Sequence, residues 1–133
     1  MTPVRVIVVE DHPDVRSVIA ALLSIEERFA VVGEARNGEE GIDLTEREQP
    51  DVVLLDLAMP VMDGLTALPA IQMVAPDTKV IVLSGFGTDR TVHAAMKAGA
   101  SAFLHKDADL SINLVRVLDK VSDGDADNNS PVG

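Results

Sequence analysis

Five short apolar runs recur along the chain: Val4–Val9, Val31–Ala35, Val52–Leu55, Val80–Leu83 and Ala102–Leu104. They are rich in Val, Ile and Leu, and most do not alternate with polar residues. That pattern suits strands buried on both faces of a parallel sheet. Each gap between runs leaves room for one crossover helix. Val15, Val18, Ile19, Leu22 and Leu23 fall on one helix face. Val92, Ala95 and Met96 do the same after Thr88, a candidate N-cap, and Gly99 is placed to stop that helix. Ile112, Val115, Leu118 and Val121 form a last stripe, with Asp109 or Ser111 as cap. Gly38–Glu48 is a weaker helix, because Gly41 inside it costs about 1 kcal/mol against Ala. The helix expected after Asp63 contains Pro69, so it either starts late, with Pro69 in its first turn, or is kinked there. The predicted architecture is (βα)₅, an α/β doubly wound open parallel sheet with helices on both faces.

The 133 residues amount to one domain, and the 47% apolar content supplies a core. The net charge of −11 argues against direct binding of DNA, RNA or an anionic membrane. The absence of Cys excludes disulfides, thiolate metal sites and thiol nucleophiles. No apolar run is long enough to span a bilayer, and VIVV before Glu10 is too short for a signal peptide, so a cytoplasmic location is expected. From Asp123 onward the composition turns polar and acidic. Residues 1–122 are therefore read as the domain, and 123–133 as a flexible acidic tail or the start of a linker. Asp123, Asp125 and Asp127 imitate a calcium loop, but Asn128 stands where that loop needs Gly.

In open α/β sheets, sites form beyond the carboxyl ends of the strands. Glu10 and Asp11 follow the first run and Asp56 the third. Ser84, with Gly85, follows the fourth, and His105 and Lys106 the fifth. Singly, each has an ordinary explanation: an acid at a strand end is commonly a solvated cap, a Ser before Gly a turn, a Lys a surface residue. Jointly they bring three acids, a hydroxyl and an ammonium to one rim. An oxygen-only donor set suits a hard ion such as Mg²⁺. A rigidly held carboxylate can accept a phosphoryl group, and a divalent ion, a Lys and a hydroxyl are the parts that neutralise and position the transferring charge. His12, His93 and His105 are too dispersed to form a metal site as a set, and His12 reads as a rim residue or helix cap.

The stretches VIVVEDHPDVR, VVLLDLAMPVMDGL, VIVLSGFG and AFLHKDA resemble the receiver domain of two-component response regulators over about residues 3–122. The resemblance implies a flavodoxin-like fold with strand order 2-1-3-4-5. It implies that Asp56 accepts a phosphoryl group from a histidine kinase, and that Asp11, Asp56 and the backbone carbonyl of Ala58 ligate Mg²⁺, with Glu10 acting mostly through water. Ser84 and Lys106 would contact the phosphoryl oxygens. Phe103 would occupy the aromatic switch position, although a Phe in a buried strand is as readily core. Gly85 would leave room for the phosphoryl group, and Pro60, Asp63 and Gly64 would shape the loop after the acceptor.

Two features are similar to receivers joined to helix-turn-helix transcription regulators: Glu10–Asp11–His12–Pro13, and Asp107 where many relatives have a cis Pro. A cis Lys–Asp bond would cost about 2.5–4 kcal/mol, so trans is expected. The resemblance implies a signalling module that is not itself an enzyme on an external substrate. Its partners would be a histidine kinase and, after phosphorylation, a second copy of the chain. DNA would be reached only through a C-terminal output domain outside this chain. The alternatives are a stand-alone or phosphorelay receiver, a Mg²⁺-dependent phosphohydrolase, or an unphosphorylated interaction domain. The hydrolase is disfavoured because Leu57 and Ala58 follow Asp56 where such enzymes resemble D-x-D. The interaction domain is disfavoured because every acid and the Lys are present.

Overall fold

A computed structural model of the chain describes residues 2–85 and 89–123. Strands β1 (Val4–Val9), β2 (Phe29–Ala35), β3 (Val52–Asp56), β4 (Lys79–Ser84) and β5 (Ala102–His105) alternate with helices α1 (Pro13–Ser24), α2 (Gly38–Glu48), α3 (Gly64–Val74), α4 (Asp89–Lys97) and α5 (Leu110–Ser122). The strands form one parallel sheet in the order β2-β1-β3-β4-β5. The expected fold class and strand order are therefore observed. Four of the five strands run one or two residues beyond the apolar runs, because backbone pairing continues past the last aliphatic side chain.

The unbroken apolar runs have a direct structural reason. Along β1, Val6 and Val8 face one layer while Ile7 and Val9 face the other. In β3, Val52 and Leu54 oppose Val53 and Leu55 in the same way, and in β4 Ile81 and Leu83 oppose Val80 and Val82. One core is closed by Ile19 and Leu23 of α1 with Leu114 and Leu118 of α5. The other is closed by Ala67, Leu68 and Ile71 of α3 with Val92 and Ala95 of α4. A strand covered on both sides has no solvent face to carry polar residues.

Several helix expectations need correction. Val18, assigned to the buried face of α1, is 54% exposed; Ile19 and Leu23 carry that contact. Ile112, assigned to the α5 stripe, is 70% exposed, and the buried row is Leu110, Leu114, Leu118 and Val121. Pro69 lies in the interior of α3, which begins at Gly64, so the late start does not occur. Other signals act as anticipated. Gly99 adopts φ 111° and ends α4, with its N–H bonded to the Met96 carbonyl and that of Ala100 to Ala95. Asp109 stands at the N-cap of α5, although its side chain makes no capping bond. The Lys106–Asp107 bond is trans. Thr88 and residues 124–133 lie outside the described residues.

Two caps set the rim geometry. Asn37 Oδ1 accepts from the Glu40 amide at the start of α2 (2.9 Å), and Asp63 Oδ1 from the Thr66 amide at the start of α3 (2.8 Å). Gly64 packs so tightly beneath the end of β3 that a Cβ there would collide with the carbonyl oxygen of Asp56. Just before it, Val61 holds φ 68°, the left-handed region that a β-branched residue rarely enters.

Candidate functional site

The residues after β1, β3, β4 and β5 meet at the carboxyl rim. Asp56, the last residue of β3, is 1% exposed. Its Oδ1 lies 3.1 Å from Lys106 Nζ and accepts from the Ala58 amide at 3.3 Å. Its Oδ2 is buried without a hydrogen-bond partner. Lys106 Nζ also donates to Glu10 Oε1 at 3.2 Å, so one ammonium joins the ends of β1, β3 and β5.

Glu10 is wholly buried, and every polar group it has is occupied. Its amide donates to the Ala35 carbonyl (3.0 Å), and its own carbonyl accepts from Arg16 Nη1 (2.7 Å). Oε1 takes Lys106, and Oε2 accepts from the His12 amide (3.1 Å). Asp11 differs: its Oδ1 is buried and unpaired. Among the described residues, the unpaired buried carboxylate oxygens are those of Asp11 and Asp56. A buried anionic oxygen without a donor is costly. A hard cation bound by either side chain would satisfy its oxygen, and carboxylate oxygens are the donors that suit Mg²⁺.

The electrostatics follow from this packing. Burial raises the Asp56 carboxyl, and the neighbouring Glu10 raises it further; Lys106 and the Ala58 amide pull it down without cancelling the rise, leaving it at about 7. Lys106 is held above the ordinary lysine range. Burial works against its charge, but Asp56 and Glu10 outweigh it.

Ser84 is buried at the end of β4, and its Oγ donates to the Gly85 carbonyl (3.2 Å). The Lys106 amide donates to the Ser84 carbonyl (2.7 Å), which fixes the relative height of the two residues. Ala58 is an exposed residue held against the acceptor by its amide. Phe103 is not in the core. It is 43% exposed and packs edge-on to His105, with ring centroids 5.3 Å apart and planes at 77°. His12, exposed at the N-cap of α1, has Nδ1 3.8 Å from Asp11 Oδ2 and 3.9 Å from Glu10 Oε2. Lys106 thus ties Glu10 to Asp56, Asp11 clusters with Glu10 and His12 at the end of β1, Ser84 ends the neighbouring strand β4, and Phe103 is largely exposed. Sequence reasoning missed Arg16. Its signal was a cation in the first turn of the helix that directly follows the acidic pair.

The family described as the response regulator receiver domain matches residues 6–118. The nitrate/nitrite response regulator NarL of Escherichia coli is 36% identical over 123 residues, covering 92% of this chain and 56% of NarL. The transcriptional regulatory protein LiaR of Bacillus subtilis is 41% identical over 103 residues, covering 77% of this chain and 49% of LiaR. This chain thus spans about half the length of these relatives. Among solved structures, the signal receiver domain of NarL from Mycobacterium tuberculosis superposes with a TM-score of 0.86 at 34% identity, over 93% of this chain and 99% of that one. With its five-stranded order and its rim of acids and lysine, the chain belongs to the receiver domains of two-component response regulators and is related to those of transcription regulators.

Proposed function

We propose that this chain is a phosphoacceptor switch in which Asp56 takes a phosphoryl group from a histidine kinase. The observation that carries the reading is the buried Asp56 carboxylate, gripped on one oxygen by Lys106 and left unpaired on the other. A carboxylate oxygen of Asp56 would form the new O–P bond as the P–N bond of a phosphohistidine breaks. The bonding pair leaves with the imidazole, which is then protonated. Asp11, Asp56 and the Ala58 carbonyl would hold Mg²⁺, with Glu10 behind them; when bound, the ion neutralises phosphoryl charge and lowers the Asp56 pKa. Lys106 supplies the fixed cation on the other side, and Ser84 a hydroxyl close by.

Phosphorylation adds charge at the end of β3. Ser84 would move toward it, and Phe103, now outside, would turn into the space left behind. The altered face would be read by a second copy of the chain and by an output domain outside it, through which DNA is contacted. Residues 1–122 would form the switch, with 123–133 an acidic tail or the start of a linker. No helix among the described residues is long and apolar enough to cross a membrane, consistent with a module working in the cytoplasm beside a kinase. Its role is signalling rather than turnover of an external substrate.

The test is intact mass after incubation with acetyl phosphate, with and without Mg²⁺, for the wild type and Asp56→Asn. One Mg²⁺-dependent phosphoryl adduct that disappears in the variant is expected. An adduct that survives Asp56→Asn, or none in the wild type, overturns the assignment.

A further inference from the structure

Among the described residues, Arg16 is the cation held against the backbone of the acidic turn. It sits in the first turn of α1, after Pro13, and long helical side chains point toward their own N-terminus. Its fork therefore reaches back over the turn. Nη1 donates to the Glu10 carbonyl at 2.7 Å, and Nε lies 3.3 Å from Glu34 Oε1 on β2. The side chain is mostly buried. A cation at a helix N-terminus has the wrong sign for the macrodipole, so helix preference does not explain its presence. The acidic turn does. β1 ends at Val9, so the Glu10 carbonyl lies beyond the strand, and Arg16 is its partner.

We propose that Arg16 is a positioning residue for the cation site: by fixing the Glu10 carbonyl against Glu34, it sets the direction in which the turn presents the Asp11 carboxylate. This rests on the reading of Asp11 as a ligand of the divalent ion. Glu10 is locked by four contacts, one on each polar group, whereas Asp11 Oδ1 has none. Three of the four come from side-chain or sheet groups on other elements or from the turn itself, and would persist without Arg16. The contact that stops the peptide between Glu10 and Asp11 from rotating is the Arg16 contact, because that peptide's oxygen is the atom held. Arg is required rather than Lys because two acceptors, a carbonyl and a carboxylate, must be bridged by one rigid fork.

The experiment measures Mg²⁺ binding to the unphosphorylated chain by calorimetry, alongside the Mg²⁺ dependence of phosphorylation by acetyl phosphate. Unfolding in chelator is followed in parallel. Arg16→Gln and Arg16→Lys are each expected to weaken Mg²⁺ binding about 10-fold, the scale of losing a partner behind a metal ligand. The rate at saturating Mg²⁺ should stay within about twofold, the signature of lost ion binding rather than lost chemistry. Glu34→Gln keeps an acceptor oxygen for Arg16 Nε, so both ends of the bridge survive and Mg²⁺ affinity should change less than about twofold, whereas Glu34→Ala frees one end and should weaken it. Unchanged Mg²⁺ affinity in both Arg16 variants, with only a lower unfolding temperature, overturns the proposal. So does full affinity in Arg16→Lys. If Arg16→Gln does not fold, Arg16→Lys carries the test. Weakened Mg²⁺ binding in a chain whose wild type takes no phosphoryl group would uphold the role of Arg16 and overturn only the phosphoacceptor reading.

Discussion

Lys106 Nζ meets Asp56 Oδ1 at 3.1 Å although β4 lies between the strands that carry the two residues. The lysine follows the edge strand β5, and its stem arches over the end of β4 to reach the middle of the sheet. The same ammonium goes on to Glu10 beyond β1. Removing it leaves two buried carboxylates without their shared cation. Lys106→Met is expected to destabilise the chain by about 3–5 kcal/mol at pH 8, the cost of breaking a buried pair by deleting one partner. The loss should shrink toward pH 5 as the Asp56 carboxyl takes up its proton. Urea unfolding at the two pH values measures both.

Asp56 gives the opposite pH signature. Its folded pKa, about 7, lies above the ordinary value of 3.8. Between these values the unfolded chain has released the proton while the folded one retains it. Stability therefore falls as pH rises from about 4 to 7, and the deficit is complete above 7. Asp56→Asn removes it. In metal-free buffer at pH 8 the variant should unfold a few degrees above the wild type, a gain of about 1 kcal/mol or more. The gain should vanish near pH 4, and added Mg²⁺ should narrow it by stabilising only the wild type. Calorimetric scans across pH decide this.

Val61 stores strain in the loop after the acceptor. It holds φ 68° while its side chain is 78% exposed, so burial returns almost nothing. Val61→Asn, which tolerates this region, should stabilise the chain by about 1 kcal/mol. Equal or lower stability by chemical denaturation would show that the loop is not strained.

The phase of α5 is testable by a contrasting pair. Ile112→Ser on the exposed side should change stability by less than about 0.5 kcal/mol. Leu114→Ala, wholly buried between α5 and the sheet, should cost about 2–5 kcal/mol. Comparable losses at both positions would mean that the helix presents another face.

That misphasing shows where sequence reasoning stops. The strands were legible because burial on both sides writes itself as unbroken Val, Ile and Leu, and their carboxyl ends then pointed to Glu10, Asp11, Asp56, Ser84 and Lys106. The α5 stripe was not, because Leu110, Ile112, Leu114, Val115, Val117, Leu118 and Val121 surround much of the helix. Two apolar rows fit the 3.6 period, and only docking against β5 and α1 chooses between them. Pro69 announced irregularity but not its position, since tertiary packing held a helix through it. Arg16 was invisible as a site residue because its reach depends on the turn that brings the start of α1 back over the end of β1. Phe103 could not be assigned inward or outward from a run as short as β5.

The alternation along β1, β3 and β4 makes the sheet a partition. Val6 and Val8 belong to the core that α1 and α5 close, while Ile7 and Val9 belong to the core on the opposite side. Among the described residues the two cores are separate clusters, so substitutions in one should add to those in the other with little cross-talk. A lineage of such chains can redraw the outer surface of α1 and α5 to suit one partner while the helices on the far side keep theirs. Only the rim, where Lys106 ties three strand ends together, has to satisfy both.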